Sequence, residues 1–372
     1  MNGFYWIYLV MFVFLLAYHF VDGKDTKVRL YYAACGFLIL MFALQDYSVS
    51  GDSDEYMLQY GIIKDLPFSQ FFSHKFEIGY VLLNRLLSAL FESDRILYVC
   101  MGILILVPFA LWMEKESPNP MLALMSFVAV GFYFHSMVLW RQMFAMAILT
   151  FSYRYVRERK LLPFLFTVLI AMLFHQSAAV FLLVYPAYAL PVNKWLVIGA
   201  AGISAAMIVL GKPIMWFVNT YIYSTYNESF FGFDGGITML AVLWVFTLLV
   251  YWLMRDRMEE PKIKLLFGMM LIAVAIHPVV FTFGNWFRIV MYFRIAMVLL
   301  IPELYATVFK CRENNRILAI LERWTPGIYR AVLSVYDKKW FHGVLQIAMF
   351  AILFFWYISE MDGEYYILAP VM

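Results

Sequence analysis

Charged side chains are scarce in this sequence: they make up 14% of its 372 residues, whereas hydrophobic residues make up 64%. A water-soluble fold of this composition would have to expose large apolar patches, which soluble proteins avoid. The formal net charge is only +3, and no basic stripe with interleaved aromatic residues occurs. We therefore expect a membrane protein in contact with the lipid bilayer and no nucleic-acid partner.

Cysteines and nucleotide-binding signatures are also sparse. The three cysteines, Cys35, Cys100 and Cys311, are far apart, so they form neither a metal-ligand spacing nor a disulfide framework. The chain has no phosphate loop, no dinucleotide fingerprint and no paired-Asp motif for a sugar-nucleotide metal. We expect no metal or other cofactor. Since internal repeats and Gly/Ser linkers are absent too, we predict a single membrane domain over residues 1–372.

What the sequence does contain is a series of apolar blocks, many of them about 18–20 residues long, which fits helices that cross a hydrocarbon core about 30 Å thick. The prediction is an all-α, polytopic membrane protein with about twelve transmembrane helices. The predicted spans are 3–21, 28–45, 95–113, 120–135, 138–155, 161–175, 177–190, 194–210, 236–254, 263–281, 287–308 and 341–358. The stretch 76–91 carries Glu77, Asn84 and Arg85, so we predict a re-entrant or interfacial helix there.

The distribution of lysine and arginine predicts which face of the protein is cytoplasmic, because these residues concentrate in cytoplasmic loops. The basic clusters lie at 24–29, 154–160, 255–264 and 310–339, and the predicted spans place all four on one face. This holds only if 161–190 forms two short helices that meet near His175, rather than one long helix. Residues 310–339 then form a cytoplasmic insertion, in which Ile317, Leu318 and Leu321 indicate an amphipathic helix.

Arginines near the opposite face are the first candidates for chemistry. An arginine beside hydrocarbon is costly unless it faces a wet cavity or a partner, and its guanidinium binds phosphate through paired donors. Arg141 begins a long apolar segment, and Arg288 shares a helix face with Tyr292. Arg294 lies deeper and needs a partner or a cavity. The alternative to a functional role is that the arginine side chain only extends to the membrane–water interface.

Histidine and carboxylates on the same face could provide a base. His175 lies at the predicted helix break, where an imidazole could accept a proton or donate to phosphate. Glu77 opens the segment 76–91, and Asp52 precedes Tyr56 upstream. Their carboxylates could deprotonate a sugar hydroxyl or bind sugar hydroxyls. The alternatives are a histidine with a purely structural role and acidic residues that only solvate a loop.

Several short motifs together resemble a known family. They are Arg141 to Ala147, Phe151 to Tyr155, Phe174 to Ala178, Asp52 with Tyr56, Glu77 to Tyr80, Arg288 with Tyr292 and Phe293, and Leu299 to Pro302. Taken in chain order, from about residue 45 to 302, these motifs are similar to the EpsG family of Wzy-like exopolysaccharide and O-antigen polymerases.

The resemblance implies an inverting, metal-independent glycosyltransferase related to the GT-C enzymes, in the bacterial plasma membrane with an extracytoplasmic active site. The donor would be a glycan on undecaprenyl diphosphate, and the acceptor one lipid-linked oligosaccharide repeat. Arg141 and Arg288 would hold the diphosphate, and Glu77, His175 or Asp52 would be the base. The other substrate-binding candidates are Arg294, Gln142, Tyr292, Tyr56 and Tyr80. We expect Arg141, Glu77, His175 and Arg288 to line one outward-opening cavity.

Two other functions are compatible with such a chain. An O-antigen or teichoic-acid-type ligase usually has a large extracytoplasmic loop, whereas the predicted outer loops 45–75 and 211–236 are modest. A flippase or other transporter should show paired halves with matching broken helices and polar groups towards both faces. A polymerase is the expected function, and the long insertion 310–339 could dock a chain-length regulator.

Overall fold

The computed structural model describes residues 5–45, 51–221, 236–309 and 315–364, and these residues are helical with no β-strand. The first α-helices are α1 (Tyr5–Phe20), α2 (Lys24–Ala43), α3 (Gly51–Asp65), α4 (Ile78–Leu90), α5 (Arg95–Glu116), α6 (Pro120–Ala129), α7 (Phe132–Val138), α8 (Trp140–Leu149), α9 (Tyr153–Arg157) and α10 (Leu161–Met172). They are followed by α11 (Val184–Ala187), α12 (Lys194–Tyr221), α13 (Ile237–Leu253), α14 (Pro261–Ile276), α15 (Phe287–Arg294), α16 (Met297–Phe309), α17 (Arg316–Trp324), α18 (Pro326–Val335) and α19 (Lys339–Glu364). Short 3₁₀ helices include Phe68–Ser73, Gln176–Leu183 and His277–Phe281.

Several described helices are long and apolar enough to cross a membrane. By length and composition they number four, Lys24–Ala43, Arg95–Glu116, Lys194–Phe217 and Pro261–Phe281, or up to six if each of two bent pairs is one span. The bends measure 59° between α6 and α7, and 48° between Gly284–Arg294 and α16. The first bend lies at Gly131, whose φ of 84° is a left-handed conformation that glycine adopts without strain. The chain is thus a helical, multi-pass membrane protein.

Three local predictions have clear outcomes. The break near His175 is confirmed, because α10 ends at Met172 and the next helix begins at Gln176. The stretch 76–91 forms α4, whose 13 residues extend only about 20 Å, short of a full crossing. An amphipathic helix in the insertion is confirmed as α17, which buries Leu318.

Helix α3 lies in a segment expected to be only a loop, so that expectation was wrong. Its first turn carries Asp52 and Asp54, and acidic side chains stabilise helix N-termini. Tyr56, Tyr60 and Ile63 recur at helical spacing and are buried. This apolar face is narrow and mostly aromatic. The segment as a whole is therefore not hydrophobic, and its sequence did not indicate a helix. Parts of the predicted loops and insertion, residues 46–50, 222–235 and 310–314 with Cys311, lie outside the described residues.

The contacts divide the chain into two compact units. Unit 1 comprises residues 1–153, 162–179 and 318–372, and unit 2 comprises 154–161 and 180–317. In unit 1, α2 packs antiparallel on α5, where the Tyr31 hydroxyl donates to the Ala110 carbonyl at 2.6 Å and Phe42 contacts Gly102. In unit 2, a buried cluster of Met215, Val279 and Phe283 joins α12 to the 3₁₀ helix His277–Phe281 and to the residues just after it. The single domain over 1–372 stays a prediction.

Candidate active site

Three residues far apart in the sequence meet around one carboxylate in unit 1. Glu77 Oε2 accepts a hydrogen bond from Arg141 Nη1 at 2.5 Å, and Glu77 Oε1 lies 3.4 Å from His175 Nδ1. Oε1 also accepts the backbone N–H of Gln176 at 3.1 Å. The side chains of Glu77, Arg141 and His175 are 10%, 20% and 20% exposed. Both carboxylate oxygens are therefore engaged in a cluster that is mostly screened from solvent.

The start of α4 places Glu77 beside the helix break. The Gly79 N–H donates to the Leu173 carbonyl at 2.8 Å, and a Cβ on Gly79 would lie only 2.6 Å from that oxygen. Only glycine allows this approach, since a real Cβ essentially never comes so close to a backbone atom. Glu77 precedes α4 but makes no capping hydrogen bond to it. Its carboxylate extends instead to Gln176, the first residue of the helix after the break.

Aromatic rings surround the Arg141 guanidinium. Its Cζ lies 4.1 Å from the centre of the Phe76 ring and 5.9 Å from that of Tyr56, within the range of cation–π attraction. Tyr56 stacks on Trp140 with ring centres 4.9 Å apart, and Tyr80 contacts both Tyr56 and Phe76. The rings fix the plane of the guanidinium and exclude water from one side of it.

Arg141 has more donors than partners. A guanidinium carries five N–H groups, and in the described residues Arg141 makes one side-chain hydrogen bond, to Glu77. Its Nε is buried and has no hydrogen-bond partner among these residues. A buried donor without a partner is rare in native proteins and costs free energy. The arginine therefore has capacity to bind an anion in addition to Glu77.

Glu77 is ionised at neutral pH. Burial raises the pKa of its carboxyl, but the contact with His175 and the charge of Arg141 outweigh burial and lower the pKa to about 2. Glu77 lies outside the helices long enough to span a membrane. A carboxylate with such a low pKa and two engaged oxygens accepts a proton poorly. Its charge instead orients the two groups on either side of it.

The other predicted residues of unit 1 differ in how far they are buried. Asp52 is half-buried in the first turn of α3, one turn before Tyr56. Gln142 is 2% exposed, and its Nε2 lies 3.9 Å from Met146 Sδ. Tyr80 is fully buried. Asp52 is thus the most accessible of these three side chains, whereas Tyr80 and Gln142 belong to the buried core.

The remaining predicted residues belong to unit 2. Arg288 lies in the first turn of α15 and is half-buried, whereas Tyr292 is only 1% exposed. Arg294 is 5% exposed, and its Nη1 lies 3.6 Å from Met239 Sδ. A single cavity that joins Arg288 to the unit 1 cluster stays a prediction.

A model of the EpsG family matches residues 28–341. The chain belongs to the EpsG family. This is the family of Wzy-like polysaccharide polymerases, so the resemblance in the motifs is confirmed. Membership indicates a glycosyltransferase-like polymerase that acts in a membrane on a lipid-linked oligosaccharide. No curated protein and no solved structure matches the chain.

The EpsG match contains every candidate residue from Asp52 to Arg294. Sequence reasoning missed three others in the cluster: Phe76, Trp140 and Gly79, which lie next to or near the predicted Glu77 and Arg141. The signal was available for the two aromatic residues, since each directly precedes a charged residue in an apolar context. Within the described ranges, no group of three or more His, Cys, Asp or Glu residues is placed to hold a metal ion.

Proposed function

We propose that this EpsG-family protein joins oligosaccharide repeats carried on undecaprenyl diphosphate, on the extracytoplasmic face of a bacterial plasma membrane. The enzyme is an inverting, metal-independent glycosyltransferase of GT-C type with about twelve crossings. The basic clusters at 24–29, 154–160, 255–264 and 310–339 support this orientation, because such clusters favour the cytoplasm. The cluster of Arg141, Glu77 and His175 is the observation that carries the proposal.

Arg141 binds the donor diphosphate in this proposal. The guanidinium is held by Glu77 on one edge and by the Phe76 ring on one face, while its buried Nε has no partner among the described residues. A diphosphate oxygen would satisfy that donor and form a charge-assisted bond. The same cation stabilises the negative charge that develops on the leaving diphosphate. Arg288 in unit 2 is proposed as the second diphosphate ligand.

His175 is the base that we propose among the three candidates. Its Nδ1 faces the Glu77 carboxylate at 3.4 Å, which favours the tautomer with the proton on Nδ1 and a lone pair on Nε2. A carboxylate that orients an imidazole in this way also stabilises the imidazolium formed when Nε2 takes a proton. Glu77, with its pKa of about 2, is the orienting group, and Asp52 is left to bind sugar hydroxyls.

The reaction then balances without a cofactor. His175 Nε2 takes the proton of the acceptor hydroxyl as its oxygen attacks the anomeric carbon of the donor sugar. The bond from that carbon to the diphosphate oxygen breaks, its electron pair stays on the diphosphate, and the configuration inverts. Tyr56, Tyr80 and Gln142 keep the unit 1 cluster in place, and Tyr292 and Arg294 support Arg288.

A nucleotide-free polymerisation assay tests this function. Purified protein in detergent receives a lipid-diphosphate-linked repeat unit, and a gel resolves the glycan lengths. The proposal predicts a ladder that disappears in Arg141→Ala and persists in Arg85→Ala, a matched change at an exposed arginine of α4. Transfer to a different acceptor without a ladder would favour a ligase. Movement of the lipid across vesicles without transfer would favour a flippase.

The insertion at 310–339 is our proposed docking site for a chain-length regulator. Ile320 and Trp324 lie one turn apart in α17 and Ile328 lies in α18; the three are 43%, 73% and 54% exposed. Replacing all three with serine should change the length distribution of the ladder in cells while leaving the ladder made by the purified protein unchanged. An unchanged distribution in cells would refute this role.

A further inference from the structure

A polar cavity lies in unit 1, where the turn between α1 and α2 meets the end of α5. Its volume is about 650 Å³, and its lining includes Lys24, Lys27 and Lys115. Lys27 Nζ lies 5.5 Å from the centre of the Tyr18 ring. None of the three lysines forms an ion pair with any carboxylate that the structure describes. The space is thus lined by three lysines that make no close ion pair, although the charge of Asp22 acts on Lys27 at longer range.

The two acidic residues of the lining have partners of their own. Asp22 accepts a hydrogen bond from Lys339 Nζ at 2.8 Å, so its charge is already matched. Glu114 accepts the Tyr32 hydroxyl. That neutral donor leaves the charge of Glu114 in place, but the three lysines outnumber this one carboxylate, so the lining has an excess of positive charge that favours an anion. Phosphate suits this setting, because a lysine ammonium binds it as a point charge.

An apolar surface leads away from the cavity along α5. Ile103, Val107 and Leu111 are 44%, 37% and 46% exposed and follow one another at four-residue intervals that end at Lys115. A ligand with a phosphate head and hydrocarbon tails matches both features, whereas free phosphate matches only the first.

We infer that this cavity binds the headgroup of an anionic phospholipid: the phosphate contacts Lys24, Lys27 and Lys115, and an acyl chain lies along Ile103, Val107 and Leu111. Basic recesses between membrane helices bind anionic headgroups through the same combination of charge and apolar surface. Glu114 accepts hydrogen bonds from headgroup hydroxyls, and it repels a second phosphate. The site is separate from the Glu77 cluster and does not depend on the proposed reaction.

Native mass spectrometry of the full-length protein in detergent, titrated with phosphatidylglycerol, tests the inference. Changing Lys24, Lys27 and Lys115 together to glutamine should weaken the tightest binding roughly a hundredfold, since each lysine near an anionic headgroup contributes several-fold. The matched control changes Lys64, Lys212 and Lys338 to glutamine; these exposed lysines lie outside the cavity, and binding should not change. Changing the three cavity lysines to arginine should preserve binding.

Three results would overturn the inference. The cavity glutamine variant could bind phosphatidylglycerol like the wild type. Glycerol 3-phosphate could bind as tightly as the lipid, which would indicate a site for soluble phosphates. Phosphatidylethanolamine with the same acyl chains could bind equally well, which would exclude selection by charge. If the triple variant does not fold, Lys115→Gln alone should still weaken binding several-fold, and unchanged binding would count against the site.

Discussion

Glu77→Gln is the substitution that isolates the charge at the centre of the cluster. The amide is nearly the same size as the carboxylate, and its oxygen can still accept the Gln176 N–H, now 3.1 Å from Oε1. What disappears is the negative charge opposite Arg141 and His175. Because Arg141 is only 20% exposed, it would remain as a largely buried cation without a counter-charge.

The size of the effect follows from the proton affinity of Glu77. Its pKa is about 2 in the folded protein against an ordinary value of 4.5, and a tenfold change in proton affinity corresponds to about 1.4 kcal/mol. The ionised carboxylate should therefore stabilise the fold by up to about 3 kcal/mol at pH 7. Because the folded pKa is the lower one, this contribution is complete above about pH 4.5. It declines as the pH falls and is lost near pH 2.

Unfolding in detergent, followed at several pH values, measures this contribution. Glu77→Gln should lower the free energy of unfolding by about 3 kcal/mol at pH 7, and its difference from the wild type should shrink below pH 4.5. Glu55→Gln is the control: its partner Lys75 is 53% exposed, and an exposed pair contributes about 1 kcal/mol or less. Equal stability of Glu77→Gln and wild type at pH 7, or a difference that does not vary with pH, would refute the reasoning.

Three further substitutions test how the cluster is held. Gly79→Ala should destabilise the protein by about 1–3 kcal/mol in unfolding experiments, because its Cβ would meet the Leu173 backbone. The control Gly61→Ala in α3, which has open space around it, should be neutral or stabilising. Equal effects of the two substitutions would contradict the close approach of Gly79 to Leu173. Phe76→Leu removes the ring 4.1 Å from Arg141 and should lower polymerisation about five-fold. Because the buried Phe76 ring also packs on Tyr56 and Tyr80, the substitution should cost about 1 kcal/mol of stability. An unchanged rate would show that the ring does not position the guanidinium. His175→Gln should lower the polymerisation rate by roughly 10²–10⁴-fold in a folded protein, and a near wild-type rate would exclude His175 as the base.

Much of the secondary structure could be predicted from patterns in the sequence. The break at His175 was predicted from the balance of basic loops, and α17 from the apolar positions of one helical face. Helix α3 was missed, because its buried face consists of only a few residues such as Tyr56, Tyr60 and Ile63. The conformation at Gly131 could not be predicted either, since a glycine in an apolar run does not indicate its φ of 84°.

A shared cavity for the candidate residues was predicted from the sequence, but the individual contacts between them were not. Glu77 lies 64 positions from Arg141 and 99 from Gln176, so their contacts depend on tertiary packing rather than on any local period. Sequence reasoning also left the base open among Glu77, His175 and Asp52. The proposed choice of His175 rests on the low pKa of Glu77 and on the side of the His175 ring that faces it.

Binding of undecaprenyl diphosphate to purified wild type, Arg141→Ala and His175→Gln, measured beside the polymerisation ladder of each, tests the central claim most directly. The proposed roles predict that Arg141→Ala binds the diphosphate at least about tenfold more weakly, since one charge-assisted contact is lost. His175→Gln should bind it like the wild type and yet make no ladder. Wild-type binding by Arg141→Ala, or a normal ladder from His175→Gln, would contradict the claim.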